Sequence, residues 1–102
     1  MVYIIEYICF GTGHKTLFMY YVYILKSEKD GKCYIGSTND LRRRIYEHIQ
    51  GAVASTSYRR PLRLIYYEAF RSEADARLRE KALKAGKAMF ELFKRLDRSW
   101  RA

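Results

Sequence analysis

The sequence predicts an α+β domain: a small three-stranded antiparallel sheet flanked by helices, in the order β-β-α-β-α-α. Three observations carry this reading. YYVYILK at residues 20–26 is a run of aromatic and β-branched residues, and it returns as KCYIGS after an Asp30-Gly31 turn. LRLIYYEAF at residues 62–70 is a second run of the same kind. Between and after these runs, apolar residues recur at helical spacing behind capping residues.

Residues 1–18 stand apart as an N-terminal extension, followed by a domain over 19–98 and a short tail, 99–102. VYIIEYICF reads as a strand and GTGHKT as a turn. The latter is not a phosphate-binding loop, because His14 precedes Lys15 and a strand-like run follows. MVYIIEYICF begins without positive charge, carries Glu6 and has no small-residue cleavage site, so it does not read as a secretory signal. Met19 would serve as an alternative start. Loss of folding or activity on deleting residues 1–18 would exclude that.

Tyr20–Lys26 reads as a buried strand, and Asp30-Gly31 turns it into a second strand over 32–37. Ser37-Thr38-Asn39-Asp40 supplies N-cap residues for a first helix. Leu41, Ile45 and Ile49 give that helix an apolar stripe, and Gly51 ends it. Residues 52–61 read as a loop with Arg59 and Arg60 adjacent, and 62–70 as the third strand. Ser72, with Asp75 three residues on, caps the second helix. Gly86 breaks or bends it, and a last helix follows with Met89, Phe93, Leu96 and Trp100 on one face.

The 102 residues make one domain, and 49% hydrophobic content suffices for one modest core. No apolar run reaches the roughly 20 residues that span a bilayer. Cys9 and Cys33 stand alone, there is no CxxC, and His14 and His48 lack zinc-finger spacing. A reducing, cytoplasmic setting is the simplest expectation. The net charge of +9 favours a polyanionic partner such as nucleic acid.

Arg44 and His48 lie one turn apart, beside the apolar stripe. They are either functional groups near the sheet or a snorkelling arginine beside a hydrogen-bonded histidine. Arg42 and Arg43 point elsewhere, as phosphate-steering or solvated charges. Glu80 is ambiguous. A stripe through Ala74, Leu78, Ala82 and Ala85 would leave it in solvent, whereas one through Ala76, Glu80 and Leu83 would hold it at the edge of the core. There a carboxylate needs a partner or a metal ion. No DxD or HExxH appears, and no local signature of a Ser or Cys hydrolase. What remains is a Tyr–Tyr–Arg–His–Glu set on a basic domain. The tyrosines themselves are either ordinary strand aromatics or reactive phenols.

That set resembles the GIY-YIG nuclease superfamily. Its first motif appears as Tyr21-Val22-Tyr23, with Tyr21 where the family has Gly, and its second as Tyr34-Ile35-Gly36. Arg44 follows Gly36 by eight residues and His48 by four more, matching the family's arginine and histidine. Glu80 in LREKALK matches the metal-holding glutamate, which selects the Ala76–Glu80–Leu83 face. The likeness spans roughly residues 20–96 and is strongest to the small stand-alone bacterial branch, through Ser55-Thr56, Arg59-Arg60-Pro61, LIYYEAF and Leu83–Lys87. The chain departs from many relatives in having no lysine between Gly36 and Lys81.

The resemblance implies an endonuclease that hydrolyses phosphodiester bonds in DNA with one divalent ion, Mg²⁺ or Mn²⁺. A lone domain of this size has little surface for reading base sequence, so structure-selective or weakly sequence-selective cutting in DNA repair or processing is expected, by a monomer or weak dimer that is not membrane-bound. Tyr23, Tyr34, Arg44, His48 and Glu80 would be catalytic. Glu80 would hold the ion, Arg44 the non-bridging phosphate oxygens, and Tyr23 would act as general base. Tyr34 would share a hydrogen bond with Tyr23, and His48 would relay a proton or position Tyr23. Arg42, Arg43, Arg59, Arg60 and Lys84 would bind substrate. The alternative is a nucleic-acid-binding module of the same fold that does not cut.

Overall fold

A computed structural model describes residues 18–102. The strand and turn expected in residues 1–17, with Cys9 and His14, lie outside the described residues. Three strands form one antiparallel sheet: β1 (Tyr20–Ser27), β2 (Cys33–Thr38) and β3 (Leu62–Phe70), in the order β2-β1-β3. Gly31 takes a positive φ of 71° in the β1–β2 turn, as the Asp-Gly signal requires.

Helix α1 (Leu41–Gln50) starts at Asp40, whose side chain accepts the Arg43 amide, and ends at Gly51 with φ 82°. Ser72 caps α3 (Glu73–Lys84) by accepting the Asp75 amide. Two expectations are corrected. The 52–61 loop contains a short helix, α2 (Ala54–Ser57). The single last helix is two, α4 (Lys87–Arg95) and α5 (Asp97–Arg101), which meet at Leu96. Gly86, at φ 104°, separates α3 from α4.

Strand alternation divides the buried residues between the two faces of the sheet. Val22, Ile24 and Ile35 pack with Ala76 and Leu83 of α3, Met89 and Leu92 of α4, and Leu96. Tyr23, Leu25 and Leu62 face the other way, against Tyr34 and against Leu41 and Ile45 of α1. The sheet-facing stripe of α3 is therefore Ala76–Leu83, and Leu78 is exposed. On α1 the stripe is rotated from its expected position. His48 is fully buried and Ile49 is 50% exposed. A polar residue holds the helix's deepest place, and it can do so only if both ring nitrogens find partners. Among the described residues, no helix is long and apolar enough to cross a membrane.

Candidate active site

The site is built around Tyr23, in the middle of the central strand. Register places it directly across from Gly36 on β2 and Tyr67 on β3. Its ring is 1% exposed and crosses the face of Gly36. A Cβ at Gly36 would lie 2.5 Å from the Tyr23 hydroxyl oxygen and 2.6 Å from Cζ. Glycine is thus required in the YIG triplet because the phenol occupies the space of a side chain.

The Tyr23 hydroxyl lies 2.8 Å from His48 Nε2. This corrects the expected Tyr23–Tyr34 hydrogen bond. Tyr34 instead packs on the pair, with its ring centroid 6.4 Å from Tyr23 and 5.1 Å from His48. His48 Nδ1 lies 2.8 Å from Thr56 Oγ1, in α2. The network assigns the protons. The Val53 carbonyl can only accept, so the Thr56 hydroxyl, 3.5 Å away, turns its proton there and accepts from His48 Nδ1. A neutral His48 with its proton on Nδ1 leaves Nε2 to accept the Tyr23 hydroxyl proton. The chain Tyr23–His48–Thr56–Val53 is fully satisfied.

Burial pushes the Tyr23 phenol up to about 12; Arg44 pulls against it, while Tyr34 and Glu80 add to the rise. Burial first, and Arg44 second, hold His48 down to about 4, so its imidazole is neutral. Arg44 itself is steadied by Glu47, with Nη1 to Oε1 at 3.0 Å.

Glu80 approaches β2 from the opposite face. Its Oε1 accepts from the Ser37 hydroxyl at 2.7 Å, and its Oε2 pairs with Lys84 at 2.8 Å. Burial raises the Glu80 carboxyl, but Lys84 and Ser37 outweigh it and leave the group below the ordinary carboxylate value. Gly36 and Ser37 are consecutive, so the Tyr23 phenol and the Glu80 carboxylate meet neighbouring residues of one strand. Where β1 begins and β2 ends, a cleft of about 320 Å³ opens between α1 and α3, lined by Ser37, Thr38, Arg43, Arg44 and Arg77. It joins the arginine side of the site to Ser37, the hydroxyl that Glu80 holds.

No group of three His, Cys, Asp or Glu side chains suited to a metal ion occurs among the described residues. Glu80 would be the protein ligand. Its half-buried carboxylate already faces one cation, the Lys84 ammonium, so its chemistry fits a hard ion that keeps most of its water shell.

The expected substrate-binding residues are placed differently from one another. Arg42 is exposed, and among the described residues no carboxylate pairs with it. Arg43 pairs with Asp40 and Glu47. Arg59 lies near the hairpin end, where it reaches Asp30 and the Cys33 carbonyl. Arg60 donates to the Ser57 carbonyl beside Gly51. Sequence reasoning missed Thr56 and Ser37 as parts of the site. The Ser55-Thr56 pair was visible as a family likeness, but nothing local ties it to His48.

The family described as the GIY-YIG catalytic domain matches residues 19–89. A UPF0213 protein of Staphylococcus saprophyticus is 41% identical over 66 residues, covering 64% of this chain and 79% of the relative. A UPF0213 protein of Clostridium perfringens is 45% identical over 67 residues, covering 65% and 71%. A solution NMR structure of a UPF0213 protein from Bacillus halodurans has 36% identity and a TM-score of 0.49, over 76% of this chain and 84% of that one.

Proposed function

Because the chain belongs to the GIY-YIG catalytic-domain family and to its small UPF0213 branch, we propose that it is a divalent-metal-dependent endonuclease. It hydrolyses phosphodiester bonds in DNA, selects structure more than base sequence, and serves DNA repair or processing. The observation that carries this reading is the approach of a buried phenol and a carboxylate to consecutive residues of β2, beside an arginine-lined cleft.

Arg44 binds the non-bridging oxygens of the scissile phosphate, where its planar fork fits. A divalent ion at Glu80, when bound, supplies positive charge for the departing 3′-oxygen. Tyr23 and His48 move the proton. Burial keeps the proton on the phenol, pushed up to about 12, and off the imidazole, held down to about 4. No free phenolate stands ready. As water gives its proton to Tyr23 Oη, the phenolic proton passes to His48 Nε2, while Thr56 holds Nδ1–H. A phosphate oxygen on Arg44 offsets the positive charge that helps depress His48, so substrate makes the acceptor more basic.

The test is Mg²⁺-dependent nicking of branched, single-stranded and duplex DNA by wild type, Tyr23→Phe, Arg44→Ala and Glu80→Ala. Loss in the three variants supports the reading. Equal activity in all four proteins refutes it. A binding module that does not cut is the second reading, and the Lys84 ammonium on Glu80 Oε2 favours it, since it stands where an ion would bind. Nucleic-acid binding indifferent to EDTA, with no nicking, would select that reading.

A further inference from the structure

We propose that the groove between β3 and α1 seats unpaired nucleobases of the substrate strand next to the cleavage site; this rests on the nuclease reading above and names its substrate class. The groove encloses about 640 Å³ and is lined by Tyr21, Arg42, Tyr46, Ile49, Leu64 and Tyr67. Tyr46 is 62% exposed and Tyr67 52%. Tyr21 meets Tyr67 edge to face at 6.0 Å, which steadies both rings. Among the described residues no second ring packs on Tyr46, so its faces are open.

The groove adjoins the site directly. Tyr67 lies across from Tyr23 in the sheet, and Tyr21 is two residues along β1 on the same face. A base held there belongs to a nucleotide close to the phosphate on Arg44.

Charge decides among occupants. Asp40 also borders the groove, but Arg43 pairs with it and it caps α1. Arg42, at the same wall, has no carboxylate partner among the described residues. A second copy of the chain would bring another net charge of +9 to this wall, and repulsion opposes it. A nucleic-acid strand brings phosphates for Arg42 and flat π faces for the tyrosines. Duplex DNA keeps those faces stacked inside, so only unpaired bases fill the groove.

The test uses the full chain in EDTA, with anisotropy of a fluorescein-labelled 20-nucleotide single strand and of the same sequence as duplex. Tyr46→Ala and Tyr67→Ala should each weaken single-strand binding about ten-fold and leave duplex binding unchanged, while the Phe variants bind as wild type does. Tyr46 projects from an exposed helix position, so its removal does not threaten the fold. Unchanged single-strand binding in both Ala variants, or equal loss on both ligands, overturns the seat. So does a concentration-dependent dimer in sedimentation that Tyr46→Ala dissolves. Mg²⁺-dependent nicking by the same preparations separates the two ideas. Nicking with no single-strand effect removes the seat alone, and a single-strand effect without nicking removes the nuclease reading while the seat stands as a binding site.

Discussion

Replacing Gly36 by alanine tests the architecture of the site without reference to its chemistry. The added Cβ would stand 2.5 Å from the Tyr23 hydroxyl oxygen, 2.6 Å from Cζ and 3.1 Å from Tyr34 Cε1. The first two contacts are about 1 Å short of ordinary separation. The phenol cannot swing clear, because its ring is 1% exposed and its hydroxyl is held by His48. Overpacking of this kind costs about 1–3 kcal/mol. With both rings constrained we expect the upper part of that range, and a domain of this size melts about 4–8 °C lower for each kcal/mol lost. Gly31→Ala is the control. A Cβ there meets nothing within 4 Å, so only its positive φ of 71° is penalised, by about 1–2 kcal/mol. The assay is thermal or urea unfolding of both variants, completed by a double-mutant cycle with Tyr23→Leu. Gly36→Ala should be the more damaging, and its cost should shrink when Tyr23→Leu is also present. A Gly36→Ala protein that unfolds with wild type, or a cost indifferent to Tyr23→Leu, would refute the phenol's position over Gly36.

Other outcomes follow from the same geometry. Thr56→Val removes the acceptor for His48 Nδ1–H and leaves a buried donor unpaired, which should cost about 1–3 kcal/mol in urea unfolding; nicking should fall while the Mg²⁺ dependence stays as in wild type, and Thr56→Ser should restore it. His48 is depressed from 6.5 to about 4, so the unfolded chain takes up its proton first; its contribution to stability is complete above pH 6.5 and falls away as pH drops toward 4. The slope should reach up to about 1.4 kcal/mol per pH unit, and His48→Gln should flatten it in urea midpoints across that window. Identical slopes would show that the imidazole is not held neutral. Arg79 forks onto Glu68 at 3.0 and 2.9 Å and ties α3 to β3, so Arg79→Ala should cost about 1–2 kcal/mol without altering single-strand binding at the far groove; an unchanged melting temperature would argue against the tie.

The elements of this fold are written locally. Asp30-Gly31, Asp40, Gly51 and Ser72 act within a few residues of themselves, and each occupies the turn or cap its chemistry suits. The third strand spans residues 62–70 in sequence and structure alike. The site is another matter. Periodicity shows which residues of α1 share a side, but not how far the helix rolls. That roll is set by what the sheet presents, and it buries His48 while leaving Ile49 half in solvent. Thr56 and Ser37 carry no local mark, because their partners are 8 and 43 residues away.

The sequence by itself determined three strands, their helices, a basic surface and the Tyr–Tyr–Arg–His–Glu set, since side-chain sterics, turn chemistry and charge act over short stretches of chain. Only the tertiary structure decided that the Tyr23 phenol fills the space above Gly36, that His48 and not Tyr34 takes its hydrogen bond, and that Glu80 arrives at the next residue from the other face. Those contacts depend on strand register and helix rotation, which are settled by packing the whole domain at once.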